Sequence, residues 1–82
     1  MDIQSAFGLT LRALRSKNGI SQEQFALQIG MDRTYYASVE SGKRNISIQN
    51  IQKIAKGFEI SLSELFRFVD LAMQDKEVTV NV

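Results

Sequence analysis

Arg33 is the residue whose side chain has the clearest chemical use in this 82-residue sequence. It follows Asp32 at the start of a short predicted helix, and an arginine fork can donate two hydrogen bonds to O6 and N7 of a guanine. Bond-making chemistry has little support, because the chain has no histidine, no cysteine and no glycine-rich phosphate loop. A zinc site and a histidine-dependent triad are excluded. We expect no catalysis, no metal and no cofactor.

The first predicted helix shows how apolar spacing defines the elements that position Arg33. Ile3, Phe7, Leu11 and Leu14 recur at intervals of four and three residues, which is one stripe of an amphipathic helix. The pair Asn18-Gly19 is a good helix end. Helix 1 is therefore predicted from Ile3 to about Lys17.

Capping residues predict where four further helices begin. Each of the following is a good N-cap: Ser21, Asp32, Ser47 and Ser61. Gln24 and Glu64 each stand three residues after a serine cap and complete two capping boxes. Helix 2 then spans about 22–28, helix 3 ends at Ser41-Gly42 and helix 4 ends near Gly57. The fold class is all-α, with an extended C-terminal tail in which valine alternates with polar residues.

The segment from Gln22 to Glu40 has the features of two helices joined by a tight turn. Gly30 can take the positive φ needed at the end of helix 2, and Ala26 is small where the two helices must cross. Apolar residues occupy the positions expected to face the core: Phe25, Ile29, Met31, Tyr36 and Val39. Together these features specify a helix-turn-helix.

The stretch SQEQFALQIGMDRTYYASVESGKRN resembles the signature of the Cro/repressor-type (XRE) helix-turn-helix family, whose domain covers residues from about 6 to 66. Within that family, MDRTYYASVESGKRNISI is most similar to the controller proteins of restriction-modification systems. The resemblance implies a five-helix lambda-repressor-like DNA-binding domain over residues 1–75, with a dimerisation helix at about 61–74. Residues 76–82 would form the extended tail.

Four residues of helix 3 are candidates for reading bases. Arg33 occupies the N-terminal part of the recognition helix, where side chains reach base edges. The resemblance supports Thr34 as a contact to a thymine methyl group or a phosphate, and it places Tyr35 on the DNA side with Tyr36 in the core. Ser38 can hydrogen-bond DNA directly. The alternative for each candidate is an ordinary exposed side chain.

The resemblance also implies contacts to the DNA backbone and one structural ion pair. Gln22 at the start of helix 2 would contact phosphate, as would three residues after helix 3: Lys43, Arg44 and Asn45. Simple solvation of these side chains is the alternative. Arg15 and Glu40 would form a buried or half-buried ion pair that ties helix 1 to the end of helix 3, and so belong to the scaffold.

Helix 5 carries more apolar residues than one side of a helix can bury. A face left exposed in the monomer should be covered by a second copy, which predicts a homodimer. The predicted interface residues are Leu62, Leu65, Phe66 and Val69. The alternative is that all of them pack on helices 1 and 4 of their own chain.

The predicted function is a sequence-specific, dimeric DNA-binding transcriptional regulator of a near-palindromic operator in double-stranded DNA. The resemblance implies a controller of restriction-modification gene expression that binds near its own promoter, activating at low concentration and repressing at high concentration. A phage or plasmid repressor of the same fold is one alternative.

An antitoxin-like protein-interaction module is a further alternative, in which helix 5 and the tail bind another chain by strand addition. The charge distribution motivates it, because residues 1–58 hold eight basic and four acidic residues whereas residues 59–82 hold two basic and five acidic residues.

The short chain predicts one domain. It has neither a signal peptide nor a long apolar run, so we expect a cytoplasmic prokaryotic protein with no membrane partner and no small-molecule ligand.

Overall fold

The computed structural model describes residues 1–74, and the predicted tail at 76–82 lies outside them. The described part contains five α-helices and no strand, which confirms the all-α prediction there. The helices are α1 (Ile3–Asn18), α2 (Gln22–Gln28), α3 (Arg33–Glu40), α4 (Ile48–Gly57) and α5 (Leu62–Met73). Within residues 1–74, none of the helices has the length and apolar character needed to span a membrane.

All four predicted N-cap residues are the N-caps of their helices. Ser21, Asp32, Ser47 and Ser61 each accept a hydrogen bond from the backbone N–H three residues later, at 3.0, 2.9, 3.2 and 3.1 Å. The Gln24 side chain also accepts from the Ser21 N–H at 2.9 Å, which completes the first predicted capping box. Asp2, which the sequence analysis did not identify, caps α1 by accepting from the Ser5 N–H, and this bond lowers the pKa of Asp2.

The hydrophobic core lies where α1 packs against both α3 and α5, with α2 on α3 and α4 on α5. Phe25 of α2 connects α3 with the end of α4. Its ring stacks on the Phe58 ring with centroids 4.1 Å apart and packs edge-on against the Tyr36 ring with centroids 5.4 Å apart. Apolar side chains from all five helices are buried. The buried packing therefore fixes α3 relative to α1 and α2, and it leaves Arg33 and Thr34 at the start of α3 exposed.

Candidate nucleic-acid interface

The turn between α2 and α3 is closed by a glycine in the left-handed conformation. Gly30 has φ of 68°, as the sequence predicts. The Met31 N–H donates to the Ala26 carbonyl at 2.9 Å and the Gly30 N–H donates to the Leu27 carbonyl at 3.2 Å. These two bonds satisfy the end of α2 and turn the chain sharply. The helix-turn-helix geometry is therefore built by local backbone bonds and by the buried contact of Phe25 with Tyr36.

The first turn of α3 presents its side chains to solvent. Asp32 is the N-cap of α3, because its carboxylate accepts a hydrogen bond from the Tyr35 N–H. Arg33 and Thr34 are both exposed. The Arg33 guanidinium lies against α2, where its Nη1 is 2.7 Å from Oε2 of Glu23. Two of the four predicted base-reading residues thus lie side by side on the exposed end of the helix.

Tyr35 and Ser38, the other two, belong to a polar cluster with Arg44 and Asn50. The Arg44 guanidinium lies over the Tyr35 ring, 5.0 Å from its centroid, and its Nε donates to Ser38 Oγ at 3.1 Å. Ser38 Oγ donates in turn to the Tyr35 carbonyl at 2.7 Å, and the Asn50 amide donates to the Tyr35 hydroxyl at 3.2 Å. Arg44 is therefore folded back onto α3, next to the predicted base-reading residues.

The remaining loop residues sit at the edge of this surface. Lys43 is exposed. The Asn45 side-chain oxygen accepts a hydrogen bond from the Gln4 amide at the start of α1, which ties the loop to the first helix. The predicted backbone-contacting loop thus continues the surface of α3 with two cationic side chains, Lys43 and Arg44.

Glu40 at the end of α3 is the centre of a buried polar cluster. Its carboxylate accepts from Arg15 Nε at 3.0 Å, from Arg15 Nη2 at 2.6 Å and from the Gln22 amide at 3.0 Å. Arg15 also donates to the Ile20 carbonyl at 2.9 Å. The ion pair between helix 1 and the end of helix 3 is present, and it also includes Gln22, which the resemblance assigns to phosphate.

The electrostatics of this cluster favour the charged pair. Burial acts to raise the pKa of the Glu40 carboxyl, but the hydrogen bonds from Arg15 and Gln22 outweigh it, so the pKa lies below the ordinary value. The Glu40 hydrogen bonds raise the pKa of Arg15. Burial, reinforced by the charge of Glu40, raises the pKa of Tyr36 well above its usual range. Arg15 and Glu40 therefore stay ionised and join α1, α2 and α3.

The structure changes which residues of α5 can form a dimer interface. Leu65 and Val69, both predicted there, are only 0% and 1% exposed because they pack in the core of their own protomer. Leu62 and Phe66, the other two predicted residues, are 40% and 37% exposed. The sequence shows that helix 5 has more apolar residues than one of its sides can bury, but it does not show which of them face the core. Only Leu62 and Phe66 of the predicted set can meet a partner without unfolding the core.

Besides Gln4, which donates to Asn45, three residues that contact the predicted site were missed by the sequence analysis. Glu23 pairs with Arg33, Asn50 bonds to Tyr35, and Arg12 Nε lies 3.7 Å from Glu40 Oε1. Glu23 is exposed and Asn50 is half-buried, and for a polar residue of an amphipathic helix solvation is the default interpretation. Their partners lie on other helices, so periodicity along one helix carries no signal for them.

Comparisons with known proteins agree with this geometry. Residues 11–65 match the helix-turn-helix family. The control protein C.MunI from a Mycoplasma species is 53% identical over 70 residues, which are 84% of this chain and 95% of that protein. The structure of the restriction-modification controller protein C.AhdI from Aeromonas hydrophila is 46% identical, with a TM-score of 0.73 over 77% of this chain and 96% of that one.

A solved complex with DNA is also similar. The restriction-modification controller protein C.Esp1396I, a tetramer bound to its natural 35-base-pair operator, is 27% identical to this chain. Its TM-score is 0.82, and the match covers 90% of this chain and 97% of that one.

Proposed function

We propose, from the premise that this chain belongs to the helix-turn-helix family and to its restriction-modification control proteins, that it is a dimeric transcriptional regulator that binds operator DNA near its own promoter. The identity to C.MunI over most of both chains favours this role over that of a phage or plasmid repressor. The genes regulated would then include those of a restriction-modification system. Such a regulator acts in the cytoplasm, on the DNA of the nucleoid.

The observation that carries the proposal is the exposed first turn of α3 on a rigid support. Arg33 and Thr34 are exposed, whereas Tyr36 of the same helix is fully buried against Phe25. A helix presented in this way can enter the major groove with its N-terminal side chains against base edges. Arg33 reads a guanine, and Thr34, Tyr35 and Ser38 contact neighbouring positions.

Contacts to the DNA backbone surround the base-reading surface, which is formed by Arg33, Thr34, Tyr35 and Ser38. Lys43, Arg44 and Asn45 approach the phosphates from the loop after α3. Gln22 approaches them from α2: its amide group has two N–H donors, and the bond to Glu40 uses one. Such contacts fix the orientation of the protein on the duplex and carry no sequence information.

A second copy of the chain completes the reading unit. In this proposal residues 1–75 form the DNA-binding domain, its α5 region (61–74) makes the dimer contact, and Leu62 and Phe66 supply exposed apolar surface for it. A two-fold dimer places two recognition helices in successive major grooves about 34 Å apart, so the operator is near-palindromic. Because C.Esp1396I binds its 35-base-pair operator as a tetramer, we propose that two dimers of this chain occupy a full operator.

Titration of the purified protein into labelled duplex DNA from its own upstream region tests this function. The measurement is the dissociation constant at several salt concentrations, with random DNA of equal length as competitor. Tight binding that resists the competitor, with two protomers per palindromic site, is the expected result. Weak binding that random DNA abolishes would contradict the proposal.

A further inference from the structure

The ion pair between Glu23 and Arg33 joins the exposed ends of α2 and α3. Glu23 Oε2 lies 2.7 Å from Arg33 Nη1, and the two side chains are 64% and 69% exposed. Exposed ion pairs contribute little to folding. The two helices are held together instead by the buried contact of Phe25 with Tyr36 and by the closed turn at Gly30. The ion pair therefore acts mainly on the orientation and charge of the Arg33 guanidinium.

The position of Glu23 leaves one edge of the Arg33 guanidinium facing away from the carboxylate. A guanidinium has five N–H donors in a planar fork, and the Glu23 contact is made at Nη1. The edge formed by Nε and Nη2 still offers two parallel donors, which is the arrangement that guanine O6 and N7 accept. A long side chain held at one end also loses less rotamer freedom when it binds.

The charge of Glu23 acts in the same direction. Binding to DNA of any sequence depends on cationic side chains that neutralise phosphates. A carboxylate 2.7 Å from Arg33 offsets the charge of that arginine and repels nearby phosphates. Glu23 therefore weakens the contribution of Arg33 to sequence-independent binding, while the free edge of the guanidinium keeps its hydrogen-bonding capacity.

We propose that Glu23 is a specificity-determining positioning residue, which orients the Arg33 fork toward a guanine and lowers the affinity of the protein for random DNA. Its effect is on the ratio of the two affinities. This inference rests on the proposed function, because it requires that Arg33 reads a base pair of an operator.

The test compares wild type with Glu23→Gln, which removes the charge and keeps the size of the side chain. Dissociation constants are measured for the upstream operator fragment and for a random duplex of equal length, over a range of salt concentrations. We expect the ratio of affinities to fall about tenfold. Random DNA should bind more tightly, with a salt slope steeper by about one.

Glu59→Gln is the matched control. It removes the same charge from an exposed side chain in the turn between α4 and α5, outside both the helix-turn-helix and the region assigned to the dimer contact. This variant should keep the wild-type ratio, and thermal unfolding of both variants should resemble that of wild type. A second control places Glu23→Gln in an Arg33→Ala background, where the ratio should not change further.

The outcomes separate the two proposals. If wild type prefers its operator but Glu23→Gln keeps the same ratio, or changes it no more than Glu59→Gln does, only the role of Glu23 is overturned. An equal fall of the ratio in the Arg33→Ala background also overturns it, because Glu23 would then act without Arg33. Wild type with no preference for the operator overturns the proposed function, and the role of Glu23 with it.

Discussion

Gly8 of α1 lies directly against the backbone of Glu40 at the end of α3. A Cβ added at Gly8 would be 2.2 Å from the Glu40 carbonyl oxygen and 2.8 Å from its carbonyl carbon. Because backbone atoms cannot move aside as a flexible side chain can, the two helices approach this closely only with glycine at this position. The crossing brings Arg15 of α1 to the Glu40 carboxylate.

Gly8→Ala should therefore destabilise the protein by about 3 kcal/mol, because α1 and α3 must separate. Chemical denaturation measures the free energy of unfolding. Gly57→Ala is the comparison, and it should cost less stability than Gly8→Ala. Its Cβ would meet side-chain atoms, Ile29 Cγ2 at 2.4 Å and the Phe25 ring at 3.0 Å, which can shift more readily than backbone. A Gly8→Ala variant as stable as Gly57→Ala would show that the crossing has room for a methyl group.

The Arg15–Glu40 pair predicts a loss of stability in acid. The pKa of Glu40 lies below its ordinary value of 4.5 in the folded protein. The unfolded chain therefore binds a proton at a pH where the folded protein does not, and the free energy of unfolding falls as the pH drops below about 4.5. Urea denaturation at a series of pH values measures this. Glu40→Gln should flatten the dependence in that range.

Arg15→Ala gives the complementary test of the same pair. It leaves the buried Glu40 carboxylate without its main partner, so the variant should lose about 3 kcal/mol of stability at neutral pH. The acid destabilisation through Glu40 should be reversed, with stability rising as the pH drops toward 4.5. Burial then raises the pKa of Glu40 unopposed by Arg15, so the folded protein binds the proton more readily than the unfolded chain. A variant with the wild-type pH profile would show that the ion pair does not hold the carboxylate ionised.

Base reading and backbone contact should separate between Arg33 and Arg44. Arg33→Ala should weaken operator binding by about 1–3 kcal/mol and relax specificity at one base pair of each half-site. Arg44→Ala should weaken binding to all sequences and reduce the salt slope by about one. Binding assays on operator variants at several salt concentrations distinguish these results. Equal effects of both substitutions on all sequences would contradict the assignment.

Helix α5 should dimerise through its exposed apolar stripe. Phe66 lies beside Phe7 with ring centroids 6.1 Å apart, and part of its ring remains exposed. Phe66→Asp should give folded monomers, as measured by light scattering and circular dichroism. Leu65→Asp should instead unfold the protein, because that side chain is fully buried.

Leu27→Asp is the control for the dimer, since Leu27 is an exposed apolar residue of α2. It should leave the dimer intact. A Phe66→Asp dimer as stable as that of Leu27→Asp would place the interface on another surface of the protein.

The helices were predictable because their signals are local. Ser21 with Gln24, Asp32 and Gly30 each act on backbone groups within a few residues, so the boundaries of α2 and α3 follow from the sequence. The exposure of Arg33 and Thr34 was predictable for the same reason, since both follow the Asp32 cap at the start of α3. The burial of Tyr36 was predicted from the resemblance.

Contacts between helices were harder to predict. Leu65 and Phe66 are adjacent apolar residues, and only the packing of α5 against α1 decides that Leu65 is buried and Phe66 exposed. Gly8 was not identified as a crossing point, because a glycine inside a helix gives no sign of what lies opposite. The bond from Gln22 to Glu40 joins residues on different helices in the same way.

The central claim, that α3 reads base edges from the major groove through Arg33, is tested most directly by removing one acceptor atom from the DNA. Operator duplexes with 7-deazaguanine in place of single guanines lack the N7 atom and keep their base pairing. At one guanine position in each half-site, the substitution should weaken binding of wild type by about 1–3 kcal/mol. Arg33→Ala should bind that substituted duplex and the natural one equally. Equal binding of wild type to every substituted duplex would contradict the claim.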